Sequence, residues 1–145
     1  MSKVSVNELI DAPVETVFRA ITDIEKLPET NPDIVSVEFL SEKRNGVGTR
    51  FRETRRMGKS EHVTELDVTE YVENERARMV ADSHGTVWDT VFTTQPEDGK
   101  TRLEIHMDAR PHKLLPKLMN PLMKGFFKKG IEKHMQSFRE YCESL

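Results

Sequence analysis

Between Val35 and Ala109 apolar and polar residues alternate with a period close to two, the spacing that sends successive side chains to opposite faces of a strand. The pattern predicts six strands, at residues 35–42, 49–56, 60–70, 75–84, 86–94 and 101–110. The breaks between them carry turn chemistry: Asn45-Gly46, Gly58-Lys59, Glu73-Asn74, His84-Gly85 and Glu97-Asp98-Gly99. Gaps this short imply antiparallel neighbours. Residues 4–10 read as a further strand ahead of them, which makes seven.

Helical spacing appears on either side of this block. Asp11-Ala12-Pro13-Val14-Glu15 opens a short helix, with proline at the first helical position and glutamate in the first turn. Val14, Val17, Phe18, Ile21, Ile24 and Leu27 form its apolar stripe, and Pro28 and Pro32 are expected to stop it. Residues 114–145 read as one long closing helix bearing Leu115, Leu118, Met119, Leu122, Met123, Phe126, Phe127, Ile131, Met135 and Phe138. It would span about 45 Å at the usual rise per residue. Pro121 removes a backbone bond and predicts a kink. The half before Gly125 is expected to act as a gate, and residues 131–145 as an anchor.

The turns also predict cross-strand pairs. A two-residue loop at Gly58-Lys59 sets Arg55 against His62, Glu53 against Thr64 and Phe51 against Leu66. A loop at His84-Gly85 sets Ala81 against Trp88 and Met79 against Thr90. A turn over residues 71–74 sets Leu66 against Met79, and one over residues 97–100 sets Phe92 against Ile105 and Thr90 against Met107. All agree on one face, and a one-residue slip would send a strand's whole set to the other face. That face is apolar at the Phe92 end, carries small residues in the middle, and is polar where Arg55, His62 and Ser83 lie.

The 145 residues suffice for one domain with its own core. The net charge of −3 offers no large basic field for nucleic acid. Lys113, Lys117, Lys124, Lys128, Lys129 and Lys133 are read as the solvated face of the closing helix rather than as a phosphate or membrane patch. Cys142 is the only cysteine, which excludes an intrachain disulfide; a packed, unreactive thiol is expected. The start of the chain reads as no signal peptide and no apolar run approaches membrane-spanning length, so a cytoplasmic protein is expected.

The order strand, helix, six strands, long helix comes with Ile10-Asp11-Ala12-Pro13, Val17-Phe18 and Thr22-Asp23, then Leu27-Pro28 with Asn31-Pro32, Val37-Glu38, Gly46-Val47-Gly48-Thr49, Val68-Thr69-Glu70-Tyr71 and Gly99-Lys100-Thr101. On these residues the chain resembles the helix-grip fold of the START/Bet v 1-like superfamily, and more narrowly its polyketide cyclase/dehydrase-type, or SRPBCC, proteins. The resemblance spans the chain, read as a single domain over residues 1–145. It implies an α+β helix-grip fold, a seven-stranded curved antiparallel sheet around a long C-terminal helix, with one or two short helices after the first strand and a cavity between sheet and helix. Many relatives carry an aromatic after Pro28, where this chain has Thr30 and Asn31.

Glu53, Arg55 and His62 are the candidate chemistry. An arginine favours the charged form of a carboxylate beside it, and a neighbouring histidine can hold or pass a proton. They read either as a polar anchor for an otherwise apolar ligand or as an ion pair at the open rim of a sheet. The cavity wall is expected from Phe51, Met79, Ala81, Trp88, Thr90, Phe92 and Met107 on the sheet and Leu115, Met119, Leu122, Met123, Phe126 and Phe127 on the helix. Asp82, His84, Asp89, His106 and Asp108 are expected on the outer face. His112 and His134 are too scattered to join them in a metal site. No nucleophile elbow or phosphate loop appears.

The expected function is binding of a hydrophobic small molecule, of lipid, aromatic polyketide or isoprenoid type, with no cofactor or metal, no nucleic acid and no integral membrane contact, by a monomer or weak dimer. An enzyme remains the alternative, with Glu53 or His62 as general base and Arg55 as oxyanion partner. A protein-interaction or quinone-chaperone-like module is a third reading, and it requires an exposed apolar patch.

Overall fold

Tight turns set the sheet. His84 and Gly85 adopt left-handed backbone, φ 53° and 81°, and let β5 (Arg76–Ser83) fold directly onto β6 (Thr86–Glu97) with Ser83 opposite Thr86. Gly85 is required there twice over, because a Cβ would meet the Lys113 side chain at 2.8 Å. The same mechanism joins β3 (Arg50–Met57) to β4 (Ser60–Val72) at Gly58, and β6 to β7 (Lys100–Pro111) at Asp98-Gly99. β1 (Ser2–Ile10) pairs with β7, and β2 (Ile34–Phe39) with β3. The result, in a computed structural model that describes residues 2–145, is a seven-stranded antiparallel sheet of order β1-β7-β6-β5-β4-β3-β2.

The predicted pairs Arg55–His62, Glu53–Thr64, Phe51–Leu66, Ala81–Trp88, Met79–Thr90, Phe92–Ile105 and Thr90–Met107 are all present. The hairpin between β4 and β5 departs from the prediction. Its tip is Glu73-Asn74-Glu75 between paired Val72 and Arg76, and the ladder shifts between Val68 and Glu70. Val68, not Leu66, therefore lies opposite Met79. Asn74 takes the left-handed conformation, φ 62°, that this tip needs. The bulge turns Tyr71 back to the inner side, where it meets Phe18 edge to face at 5.3 Å.

The helices differ from the sequence reading at Pro28 and are interrupted at Pro121, where a kink is expected. α1 (Val14–Thr22) ends before Pro28; a 3-10 turn at Ile24–Lys26 follows, and Pro28 lies in the first turn of the four-residue α2 (Leu27–Thr30). Proline there starts a helix, because its missing N–H is one that a first turn leaves free. The closing helix is likewise three pieces: α3 (Leu114–Met119), a 3-10 stretch at Asn120–Met123 around Pro121, and α4 (Lys124–Glu143).

The core lies under the second half of α4. Met135, Phe138 and Cys142 pack with Ile10, Val17, Ile21, Ile24, Phe51, Phe92, Leu103 and Ile105. Burial pushes the Cys142 thiol up to about 11, as for a packed, unreactive group. Polar ties hold this half in place: Lys133 meets Asp33 at 2.7 Å, Arg139 meets Glu8 at 2.9 Å, and the Asp11 N–H donates to Glu143 at 2.9 Å. The first half has far less. α3 buries no residue, and the 3-10 stretch buries only Asn120, whose amide donates to Thr86 Oγ1 at 3.0 Å.

Candidate functional site

Alternation along β3 sends Phe51, Glu53 and Arg55 to the same side of the strand. Phe51 is fully buried in the core, so the other two face the interior as well. Arg55 Nε donates to Glu53 Oε1 at 2.9 Å, and the Glu53 side chain is the more enclosed of the two. His62 lies opposite Arg55 in the ladder but is exposed, and its ring meets His84 at 6.5 Å. Among the described residues it makes no hydrogen bond to the Glu53–Arg55 pair.

A different histidine turns inward. His134 lies on the face of α4 that carries Phe127, Ile131 and Phe138, three or four residues apart. Its ring stacks on Phe138 at 4.5 Å and meets Phe92 edge-on at 6.4 Å. Its Nε2 is sealed from solvent and has no hydrogen-bond partner among the described residues. Burial pulls the imidazole down to about 3, and the positive charge of Arg55 adds to the effect. His134 is therefore neutral at physiological pH, with its Nε2 buried and unpartnered among the described residues. The 3/4 spacing from Phe127 through Ile131 to Phe138 passes through position 134, and that was the signal available in the sequence.

Around these polar groups the inner face of the sheet is apolar or small. Phe51, Met79, Ala81, Phe92 and Met107 are buried on the inner face, while Trp88 and Thr90 are only half-buried. Trp88 meets Phe127 edge to face, 5.0 Å between centroids. Met123 and Phe127 are half-buried, whereas Leu115, Met119, Leu122 and Phe126 are exposed to solvent. The sequence reading had assigned those four to the wall. One helix face cannot hold every apolar residue of so crowded a segment, and the 3-10 stretch at Pro121 divides them between an inner and an outer side.

The outer face carries its own network. Asp89 is almost fully buried there, bound by Arg78 through both carboxylate oxygens and by Arg110 at 3.1 Å. The hydrogen bond from Arg78 holds its carboxyl below the usual range, against the opposing effect of burial. Arg110 also meets Asp108 at 3.1 Å. His112 pairs with Asp82 at 2.8 Å. Among the described residues no group of three or more His, Cys, Asp or Glu side chains converges as metal ligands.

A groove of about 700 Å³ lies elsewhere, between β1 and α4, lined by Glu8, Glu132, Gln136, Arg139, Glu140 and Glu143 among others. Its charged groups already pair across it, Arg139 with Glu8 and Glu143. It belongs to the anchoring of α4 and offers no apolar container.

The family model for "Polyketide cyclase / dehydrase and lipid transport" matches residues 1–143. A START superfamily protein from Mycobacterium smegmatis is similar in structure, with TM-score 0.83, 20% identity and 99% of each chain covered. Ara h 8.0201 superposes with TM-score 0.77 at 15% identity, covering 99% of this chain and 98% of that one. The di-domain ARO/CYC StfQ of the steffimycin biosynthetic pathway matches with TM-score 0.78 at 12% identity, covering 99% of this chain and 51% of that one. No curated protein matches the sequence.

Proposed function

Because the chain belongs to the polyketide cyclase/dehydrase and lipid-transport family, we propose that it binds a hydrophobic small molecule between the sheet and α4. The observation that carries this reading is the buried, unpartnered Nε2 of His134, whose ring packs on Phe92 and Phe138 and feels the charge of Arg55. A buried polar atom without a partner is costly, by about 1–3 kcal/mol, unless something bonds it. A ligand oxygen would bond it. The ligand class that fits is a lipid, aromatic polyketide or isoprenoid bearing one hydroxyl, carbonyl or carboxylate. The apolar body would lie against Trp88, Met79, Thr90, Met107 and Phe127, and the oxygen would reach His134 and Arg55. Binding would come from apolar burial, and orientation from the two polar side chains.

Trp88 is the only tryptophan, and its half-buried place makes it an internal reporter. Titration with a long-chain fatty acid and with a hydroxyanthraquinone should quench its emission saturably for at least one of them. Arg55→Ala should weaken that binding about tenfold, a loss of the size expected for one charge-assisted hydrogen bond. Lys129→Ala should leave it unchanged. Equal losses in the two variants would contradict the assignment.

Catalysis in the same interior is the second reading, and the likeness to StfQ favours it. His62 is exposed, and a His134 held neutral down to about 3 is a weak base. Glu53 would therefore be the base and Arg55 the partner of a developing oxyanion. Turnover of a polyketide substrate that disappears in Glu53→Gln would identify the enzyme. Binding without turnover would identify the carrier.

A further inference from the structure

Residues 109–131 contain Arg110, Lys113, Lys117, Lys124, Lys128 and Lys129 and no aspartate or glutamate. Arg110 is taken up by Asp89 and Asp108, which leaves five lysines in this stretch of a chain whose net charge is −3. The same stretch displays the longest run of exposed large apolar side chains among the described residues: Leu114, Leu115, Leu118, Met119, Leu122 and Phe126. Leu118 is 62% exposed and Leu122 is 80% exposed, so these are not fringes of the core.

The arrangement is ordered along the chain. Leu114, Leu118, Leu122 and Phe126 recur every four residues and face solvent, with Leu115 and Met119 beside them. Asn120, Met123 and Phe127 turn the other way, towards the sheet. The segment therefore has two apolar sides: one serves the interior, and the other has no protein to cover it. The lysines flank that outer stripe. Singly exposed leucines on a soluble protein need no explanation, but a contiguous stripe of six does.

We propose that the outer side of residues 114–126 docks on an anionic lipid surface. Leucine and phenylalanine side chains would enter the boundary between headgroups and acyl chains, and the lysines would reach the anionic headgroups. The charge argument selects this occupant over a second copy of the chain, because a symmetric dimer through the stripe would set two five-lysine segments against each other. Docking here is peripheral; no helix among the described residues is long and apolar enough to cross a membrane. The stripe adjoins the end of the sheet that carries the His84-Gly85 turn, where the Lys113 chain covers Gly85 and Asn120 meets Thr86. The lysines are exposed, as the sequence reading has them, and the proposal gives that exposed face a partner. The inference does not depend on what the interior binds.

The test is flotation of the purified protein with phosphatidylcholine vesicles that contain or lack phosphatidylglycerol. Binding is expected to be about tenfold or more stronger to the anionic vesicles and to fall steeply when salt is raised to about 0.5 M. Leu122→Glu and a Leu118→Ser/Leu122→Ser pair should each reduce it at least about tenfold. Both positions are exposed, so an unchanged melting curve is expected for either variant. Equal binding to both vesicle types, or unchanged binding by the variants, overturns the proposal. So does absence of vesicle binding together with a dimer, seen in sedimentation, that Leu122→Glu dissolves.

Discussion

Trp88 of β6 meets Phe127 of α4 edge to face, with ring centroids 5.0 Å apart and planes at 88°. This contact fixes which side of the closing segment belongs to the interior, because its neighbour Phe126 points to solvent. Phe127→Ala should destabilise the fold by about 1–3 kcal/mol, less than for a fully buried phenylalanine because the ring is half-buried. It should also shift Trp88 emission to the red. Phe126→Ala should stay within about 0.5 kcal/mol. Chemical denaturation of the two variants, followed at Trp88, measures both.

His134 predicts a pH dependence with a definite sign. Its folded-state value, about 3, lies below the ordinary value of 6.5. The unfolded chain therefore binds more protons between these limits. The stability that neutral His134 contributes is fully present above pH 6.5 and is lost progressively as pH falls towards 3. One such proton contributes at most about 1.4 kcal/mol per pH unit. His134→Phe should flatten the curve in that window relative to wild type. Identical slopes for the two proteins would show that the ring is not held neutral by its surroundings.

Asp89 is the polar residue on which the outer face of the sheet depends. Asp89→Asn removes the charge that Arg78 and Arg110 share and should cost about 1–3 kcal/mol. The arginines are themselves about one-third exposed, which keeps the figure below that for a fully buried pair. Ligand binding in the interior should be unaffected, because Asp89 lies on the other side of the sheet. Thermal melts combined with the Trp88 titration separate these two outcomes.

The sheet was legible in the sequence because alternation and turn residues are local signals. Gly58-Lys59 and His84-Gly85 give the ladder positions found for Arg55 and His62 and for Ala81 and Trp88. The β4–β5 hairpin was not, since a bulge near Thr69 and a three-residue tip at Asn74 leave no distinctive pattern. The shift is of two residues, so the inner face of β4 up to Val68 was still read correctly. The site was half legible. Glu53 and Arg55 follow from strand alternation, and His62 stands in solvent as in the rim ion-pair alternative, because facing a residue across a ladder does not enclose a side chain at a rim. His134 lies too far from the other histidines for a metal site, and only helical spacing places it beside Phe127, Ile131 and Phe138. The outer stripe at Leu114–Met119 and beyond was invisible because composition cannot say which of two apolar sides is covered.

Pro121 separates a weakly held segment from a strongly held one. Amide hydrogen exchange should be faster over residues 114–125 than over residues 131–138, where Met135 and Phe138 are buried. Asn120→Ala removes the hydrogen bond to Thr86 and should widen the difference. Equal protection of the two halves would remove the basis for a gate.

The most direct measurement of the central claim is native mass spectrometry of the protein purified from its own host. A bound hydrophobic small molecule should appear as a stoichiometric adduct of the wild-type chain. The adduct should be depleted in Arg55→Ala and in His134→Phe, and retained in Lys129→Ala. A wild-type protein that carries no adduct, or an adduct retained equally in all the variants, would contradict the proposed binding site.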